Sequence, residues 1–353
     1  CAGAVESSAA CAGGASPGRA TSATAAITTA ATMLTAKVAR PLGPEPNDDL
    51  IAAHLRTHPH HPPYARNIGP TSATMASMHA VELFDPGPDP TLALREVDRD
   101  LPAPSSGQVR LRITASAVCR TDLQLTTGDL PAHLLPIVPG HQVVGVIDAI
   151  GPDVTGWTLG DRAGLVWLAR ACGECRFCLR DRENLCLHAE FTGWDVDGGY
   201  ADYVLADAAF AHPLAVLPHD FTDAAVAPLL CGGVIGYRSL RVAGVGPDSA
   251  GMRLGFYGFG ASATIAMQVA QHWGVECYAI TRSAVEVQRA QDLGAVWAGD
   301  YEAKVPVPLD AAITFAPVWP VVEQALRDTD RGACVAINAI HLDGRAQLNY
   351  DDL

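Results

Sequence analysis

Residues 107–118 (GQVRLRITASAV) alternate apolar and polar positions, the period of a strand with one face buried. A β-branched run at 142–150 (QVVGVIDAI) predicts a second strand, closed by the turn Gly151-Pro152-Asp153. Another turn, Gly160-Asp161-Arg162, precedes a strand-like stretch at 163–168, so the region from about Met78 reads as a β-rich domain with turns at short intervals. The pattern then changes. A buried strand at 253–257 (RLGFY) runs through Gly258-Phe259-Gly260-Ala261-Ser262-Ala263 into a helix at 264–273, where Ile265, Val269 and Trp273 share one face. A strand at 275–281, a helix at 284–293 and strands at 311–315 and 333–340 follow. Strands alternating with helices predict an α/β domain with a parallel, doubly wound sheet.

Residues 1 to about 74 lack such periodicity. They are rich in Ala, Ser, Thr, Pro and Gly, with a histidine cluster at His54, His58, His60 and His61. This composition predicts a disordered low-complexity extension over residues 1–77, without a core and with Met75 or Met78 as the start of the folded protein. Its Ala/Thr-rich, acid-poor part also has the character of a transit peptide, and the histidines that of a weak metal binder; a functionless solvated tail is the preferred reading.

Composition narrows the function. The chain has 353 residues, 49% of them hydrophobic, enough for sizeable cores. A net charge of −14 leaves no basic stripe to neutralise phosphates, which excludes a nucleic-acid partner. The absence of any run of eighteen apolar residues excludes a membrane span, and the expected location is cytoplasmic.

The 10 cysteines are unevenly placed. Cys172, Cys175, Cys178 and Cys186 follow the spacing C-x2-C-x2-C-x7-C. Four thiolates close a tetrahedral shell around zinc and leave no open position, which marks a structural site. A ferredoxin-type iron–sulfur run has three residues before its last cysteine and a proline after it; here seven intervene and Leu187 follows, which favours zinc. Buried thiols or a disulfide framework are the ordinary alternative. Cys1, Cys11, Cys277 and Cys334 are read as free thiols.

The strand–turn–helix at 253–273 is the context in which G-x-G-x-x-G binds a dinucleotide. Gly258 permits the tight turn, Gly260 the approach of a pyrophosphate, and Ala263 close helix–strand packing; Ala261 and Ser262 open the helix whose free N–H groups face the phosphates. The alternative is a glycine-rich turn in an α/β domain without cofactor. An NAD site places an acid at the end of the second strand, on the ribose 2′-hydroxyl. Here Thr281-Arg282-Ser283 stands there, with a guanidinium to pair with a 2′-phosphate, and NADP is expected in preference to NAD.

Three more segments carry candidate ligands: Cys119-Arg120-Thr121-Asp122, Gly140-His141-Gln142-Val143-Val144-Gly145 and Pro228-Leu229-Leu230-Cys231-Gly232-Gly233. Singly, each reads as a buried thiol or a turn histidine. Together with the four-cysteine lobe, the Gly140–Val154 stretch, Gly160-Asp161-Arg162 and the dinucleotide turn, they resemble the zinc-dependent medium-chain alcohol dehydrogenases, from about Met78 to the end of the chain. The resemblance implies a GroES-like catalytic domain (78–225, its zinc lobe at about 168–190), followed by a Rossmann domain (226–353). It implies two zinc ions per chain, the catalytic one on Cys119, His141 and Cys231, and a homo-oligomer in the full-length family. By the same resemblance Thr121 relays the alcohol proton, Asp122 orients His141, Arg120 contacts the pyrophosphate and Trp167 lines the substrate pocket.

Two positions depart from the family. Gln142 replaces the glutamate usual after the histidine, removing a negative charge beside the metal. Gln124 replaces the histidine that ends the proton relay in many members, so protons would leave through water or another group. The last strand placed from the sequence ends near residue 340, so the Rossmann sheet is expected to be incomplete at its C-terminal side, without its sixth strand. The expected function is reversible hydride transfer between a primary alcohol or aldehyde and NADP(H). A catalytically silent zinc- and dinucleotide-binding fragment is the alternative, and a zinc-ribbon interaction protein is disfavoured by the dinucleotide turn.

Overall fold

A computed structural model describes residues 76–89, 93–218 and 220–339, with single positions at 342, 345, 346 and 348. The extension expected over residues 1–77, apart from its last two residues, lies outside the described residues, as does nearly all the chain beyond residue 339. The elements in chain order are β1 (Ser77–Leu83), β2 (Leu94–Asp100), β3 (Gln108–Ser116), α1 (Arg120–Thr127), β4 (Val143–Ile150), β5 (Arg162–Leu165), β6 (Leu168–Arg170), β7 (Glu190–Phe191), β8 (Tyr203–Asp207) and β9 (His212–Pro213). There follow α2 (Asp223–Val226), α3 (Gly232–Val242), β10 (Arg253–Tyr257), α4 (Ala261–His272), β11 (Glu276–Ile280), α5 (Ala284–Asp292), β12 (Trp297–Gly299), β13 (Leu309–Thr314), α6 (Trp319–Asp328) and β14 (Thr329–Ile337).

The first half is an antiparallel sheet in the order β8-β3-β4-β5-β9, with β1–β2 and β6–β7 as separate two-stranded ribbons. Alternation along β3 does what the pattern requires: Val109 and Leu111 are fully buried while Arg110 and Arg112 are not. They pack with Val143, Ile147, Ala163, Leu165 and Val204 into one core. Arg110 meets the Asp148 carboxylate with two guanidinium bonds of 3.0 Å and so ties β3 to β4 on the other face.

The second half is a parallel sheet in the order β12-β11-β10-β13-β14, the doubly wound arrangement whose strand order reverses at β10. Because helices cover both faces, its central strands read as continuous apolar runs: Leu254, Phe256 and Tyr257 are all buried. Arg253 holds Asp310 with its backbone N–H (2.8 Å) and guanidinium (3.0 and 2.6 Å), locking the start of β10 to β13. The two halves share a core, in which Val144, Val166, Leu214 and Leu230 join Leu240, Phe256, Phe259, Ile265 and Val269.

Several elements escape the sequence pattern. Three glycines in Gly232–Val242 argue against a helix, yet α3 forms because it packs on α4. A Cβ on Gly236 would stand 2.9 Å from the Ser262 carbonyl oxygen, so this contact demands glycine. Pro320 reads as a breaker but occupies the first turn of α6, where a missing N–H costs nothing. The helix α4 begins at Ala261, three residues before the expected start, with Gly260 as its N-cap. The stretch expected as one strand at 163–168 divides into β5 and the start of β6.

His212 on β9 is 4% exposed, and burial pushes its imidazole down from 6.5 to about 4. Between those values the unfolded chain binds a proton that the folded chain refuses, so stability falls as pH is lowered from 6.5 to 4. The loss is on the order of 3 kcal/mol. Urea midpoints of the parent and His212→Gln should therefore converge as the pH falls through this window, and parallel curves would refute the assignment.

Candidate metal centres and cofactor turn

The loop between β6 and β7 brings Cys172, Cys175, Cys178 and Cys186 together, all four sulfurs lying within 4.8 Å of one another. The Cys175–Cys178 and Cys172–Cys186 separations are 3.5 Å, and Cys172–Cys178 is 3.9 Å. Zinc–sulfur bonds of about 2.3 Å in a tetrahedron put sulfurs about 3.8 Å apart, so the donor set fits zinc without rearrangement. Backbone N–H groups also turn inward. Cys172 donates to the Cys186 sulfur (3.3 Å), and Cys175 to that of Cys172 (3.4 Å). The Cys178 and Leu187 amides hold the Cys175 thiol down to about 6, as thiolate ligands require.

The second cluster draws on three distant elements. Cys119 precedes α1, Cys231 precedes α3, and His141 lies in the segment leading into β4; their ligand atoms lie within 4.8 Å of one another. Both sulfurs sit at helix N-termini, where the dipole favours negative charge, and they are 4.0 Å apart. Between them Cys231 keeps its proton; the hydrogen bond it gives Cys119, with smaller help from His141, holds Cys119 down to about 4.

Asp122 connects this cluster. Its Oδ2 accepts the Cys119 backbone N–H at 2.7 Å, and its Oδ1 lies 3.1 Å from His141 Nδ1. That bond leaves Nε2 for a metal and fixes the ring, as outer-sphere carboxylates do. Burial opposes a charge on His141, which is 1% exposed, but Asp122 and then Cys119 raise it to about 9. Access to the bend at His141 depends on Gly140 and Gly198: φ at Gly140 is 96°, and a Cβ on Gly198 would stand 2.1 Å from the Gly140 oxygen. Two cysteine sulfurs and one imidazole, with no fourth protein ligand among the described residues of the cluster, fit zinc with a position left for water or substrate once Cys231 gives up its proton.

The other expected site residues surround this centre. Thr121 is buried with its hydroxyl 3.8 Å from the Cys119 sulfur, Arg120 is exposed, and Gln124 is half-buried on the same helix. Gln142 is 4% exposed and donates its side-chain N–H to the Ala117 carbonyl at 3.1 Å. Trp167 meets His141 edge-on at 4.9 Å. Two rings that the sequence pattern did not single out, Phe191 and Trp194, stack on Trp167 at 5.1 and 5.5 Å, and His133 stacks on Trp194 at 3.9 Å.

At the dinucleotide turn, β10 ends and Gly258 turns with φ 91°. Gly260 faces open space, a Cβ there meeting nothing within 4 Å, and Ala261 and Ser262 begin α4 with Ala263 fully buried behind them. No acidic residue occupies the first turn of α4, which keeps its N–H groups available to a phosphate. At the end of β11 Thr281 is buried, Arg282 is exposed, and Ser283 caps α5 through the Glu286 N–H (3.4 Å). The Thr281 hydroxyl donates to the Glu286 carboxylate, an acid that no reading of the strand end could supply, because α5 carries it back from five residues downstream.

Comparison with known proteins settles the lineage. Residues 105–216 match the alcohol dehydrogenase GroES-like domain. A probable alcohol dehydrogenase of Mycobacterium tuberculosis is 46% identical over 283 residues, 79% of this chain and 80% of the relative. The chain belongs to the zinc-dependent medium-chain alcohol dehydrogenase family. An alcohol dehydrogenase of Geobacillus stearothermophilus is 37% identical over 255 residues, 70% of this chain and 73% of that relative. The cobalt- and zinc-bound thermostable alcohol dehydrogenase of Pyrobaculum aerophilum superposes with a TM-score of 0.68 at 26% identity, over 78% of this chain and 80% of that one. The antiparallel half is thus a GroES-like domain, the parallel half a Rossmann-type domain, and the protein an NAD(P)-dependent alcohol dehydrogenase acting on small alcohols or aldehydes. Among the described residues, no helix is long and apolar enough to cross a membrane.

The amide of Gln142 has one testable consequence. Gln142→Glu removes the donor to Ala117 and sets a buried carboxylate against a carbonyl, an unmade bond costing about 2 kcal/mol. Thermal denaturation should show a lowered midpoint for Gln142→Glu, while an unchanged midpoint would mean that the amide bond contributes nothing.

Proposed function

We propose that this alcohol dehydrogenase interconverts primary alcohols and aldehydes using NADP(H), with catalytic zinc on Cys119, His141 and Cys231 and structural zinc on Cys172, Cys175, Cys178 and Cys186. The observation that carries the reading is the open three-ligand cluster braced by Asp122. Bound zinc would supply a Lewis acid for the substrate oxygen, and bound nicotinamide the hydride donor or acceptor.

The chain's own residues do the rest. Asp122 holds His141 in one tautomer and one orientation, and through the Cys119 N–H it also fixes the start of α1. Thr121, buried beside the Cys119 sulfur, is placed to take the alcohol proton and pass it on. Gln124 cannot accept that proton as a histidine would, so it leaves through water. Trp167, backed by Phe191 and Trp194, covers the His141 side of the centre and limits the entry of water. The α4 N-terminus and Arg120 hold the pyrophosphate.

The preference for NADP rests on Thr281, Arg282 and Ser283. Thr281 replaces the acid that would repel a 2′-phosphate, and the exposed Arg282 guanidinium is free to face one. Glu286 acts against this preference, but its carboxylate is occupied by the Thr281 hydroxyl.

Two outcomes test this reading. Arg282→Ala should raise the KM for NADPH about tenfold or more while leaving that for NADH nearly unchanged, since a charge-assisted bond contributes about 1.5–3 kcal/mol. Equal effects on both cofactors would refute the assignment, and binding of dinucleotide without turnover by the parent would favour the silent fragment. Cys178→Ser should reduce bound zinc from two equivalents per chain to one and lower the melting temperature, because a structural zinc contributes directly to folding. Metal analysis of the purified chain reads the first effect and calorimetry the second.

A further inference from the structure

The turn after β7 carries Trp194 against Trp167, and residues 131–133, in the loop after α1, hold it from the other side. The Trp194 indole N–H donates to the Pro131 carbonyl at 2.9 Å. Two residues on, the His133 ring lies over the Trp194 face, with centroids 3.9 Å apart and planes inclined by 22°. The same imidazole places Nδ1 2.7 Å from Asp195 Oδ1, while Asp195 Oδ2 accepts the Phe191 N–H at 2.9 Å. One histidine thus meets the indole by its face and the turn that carries it by its edge. Farther in, Trp194 stacks on Trp167 at 5.5 Å, and Trp167 meets the candidate ligand His141 at 4.9 Å. The row His133–Trp194–Trp167–His141 therefore runs from a side chain 52% exposed to one 1% exposed. Trp167, Phe191 and Trp194 are each half-buried, which leaves apolar ring surface open beside the three-ligand cluster.

We propose that His133 is a positioning residue of the substrate pocket: it holds Trp194, and through it Trp167, as a flat apolar wall that favours aldehydes bearing an aromatic group. Open ring faces offer surface that a phenyl group covers and that a methyl group is too small to cover. A wall already fixed by stacking and by the Asp195 bond needs no ordering when the substrate arrives, so its apolar contact appears in full as affinity. His133 touches neither metal nor substrate in this scheme; it acts through Trp194. The inference rests on the reading of Cys119, His141 and Cys231 as the catalytic zinc site.

His133→Ala removes both the stack and the bond to Asp195. Two stacked indoles give an exciton couplet in circular dichroism, and loss of that couplet in Trp194→Ala assigns it to this pair in the full, zinc-loaded chain. The couplet should weaken in His133→Ala, a readout that does not rely on turnover. With NADPH, the KM for benzaldehyde should rise about tenfold, while the KM for acetaldehyde and both kcat values stay within about twofold. In a Trp194→Ala background the same change should have little further effect on benzaldehyde, because the ring it acts through is gone. An unchanged couplet, an unchanged benzaldehyde KM, an equal rise for both aldehydes, or the same rise in both backgrounds would overturn the proposal. So would failure of His133→Ala to fold, since a half-exposed side chain that only positions a wall is dispensable for folding. A zinc-loaded parent that turns over neither aldehyde would instead refute the functional reading, and the couplet alone would then decide whether His133 holds the wall.

Discussion

The carboxylate of Asp122 is the small contact on which the proposed catalytic centre depends. One oxygen holds the backbone of Cys119 and the other the ring of His141, so two candidate ligands that are distant in sequence answer to a single acid. Buried at 5% exposure, it would be an expensive charge if unpaired. It is tolerated because hydrogen-bond donors surround it. The pairing also fixes the entry to α1, since Cys119 and Asp122 stand at the first turn of that helix.

The third candidate ligand arrives by a different route. Cys231 stands at the head of α3, a helix rich in glycine that forms because it packs directly on α4. Its neighbours Leu229 and Leu230 are buried in the core shared by the two halves. The cluster is thus assembled from the antiparallel half and from the junction with the parallel half, and close packing at that junction sets the position of the last sulfur. Sites for small ligands occur preferentially at such junctions between domains.

How much of this was legible in the sequence varies with the range of the interaction. The strands β3, β4 and β10 and the turn at Gly258 announce themselves through local periodicity and glycine spacing, and the four-cysteine lobe through local spacing alone. The helices α3 and α6 do not, because glycine and proline lower their intrinsic propensity and tertiary packing restores it. Cys119, His141 and Cys231 are visible only through family resemblance, since no local rule spans their separation. Phe191, Trp194 and Glu286 are invisible even then: each matters through a neighbour brought close by the fold. The Glu286 carboxylate is the plainest case, as its partner Thr281 ends a strand while it rides on the following helix.

The contact at Gly236 reaches beyond packing. Because α3 lies against the first turn of α4, the sulfur of Cys231 and the candidate phosphate-binding N-terminus of α4 belong to one closely packed pair of helices. Cys119 and His141 belong to the antiparallel half. An ion held by all three would tie the antiparallel half to that helix pair, and a shift of α4 would have to carry the sulfur with it or stretch the coordination. The place of the Cys231 sulfur and the place of the α4 N-terminus are in that sense set together, at a position where a side chain as small as a methyl group would force the two helices apart.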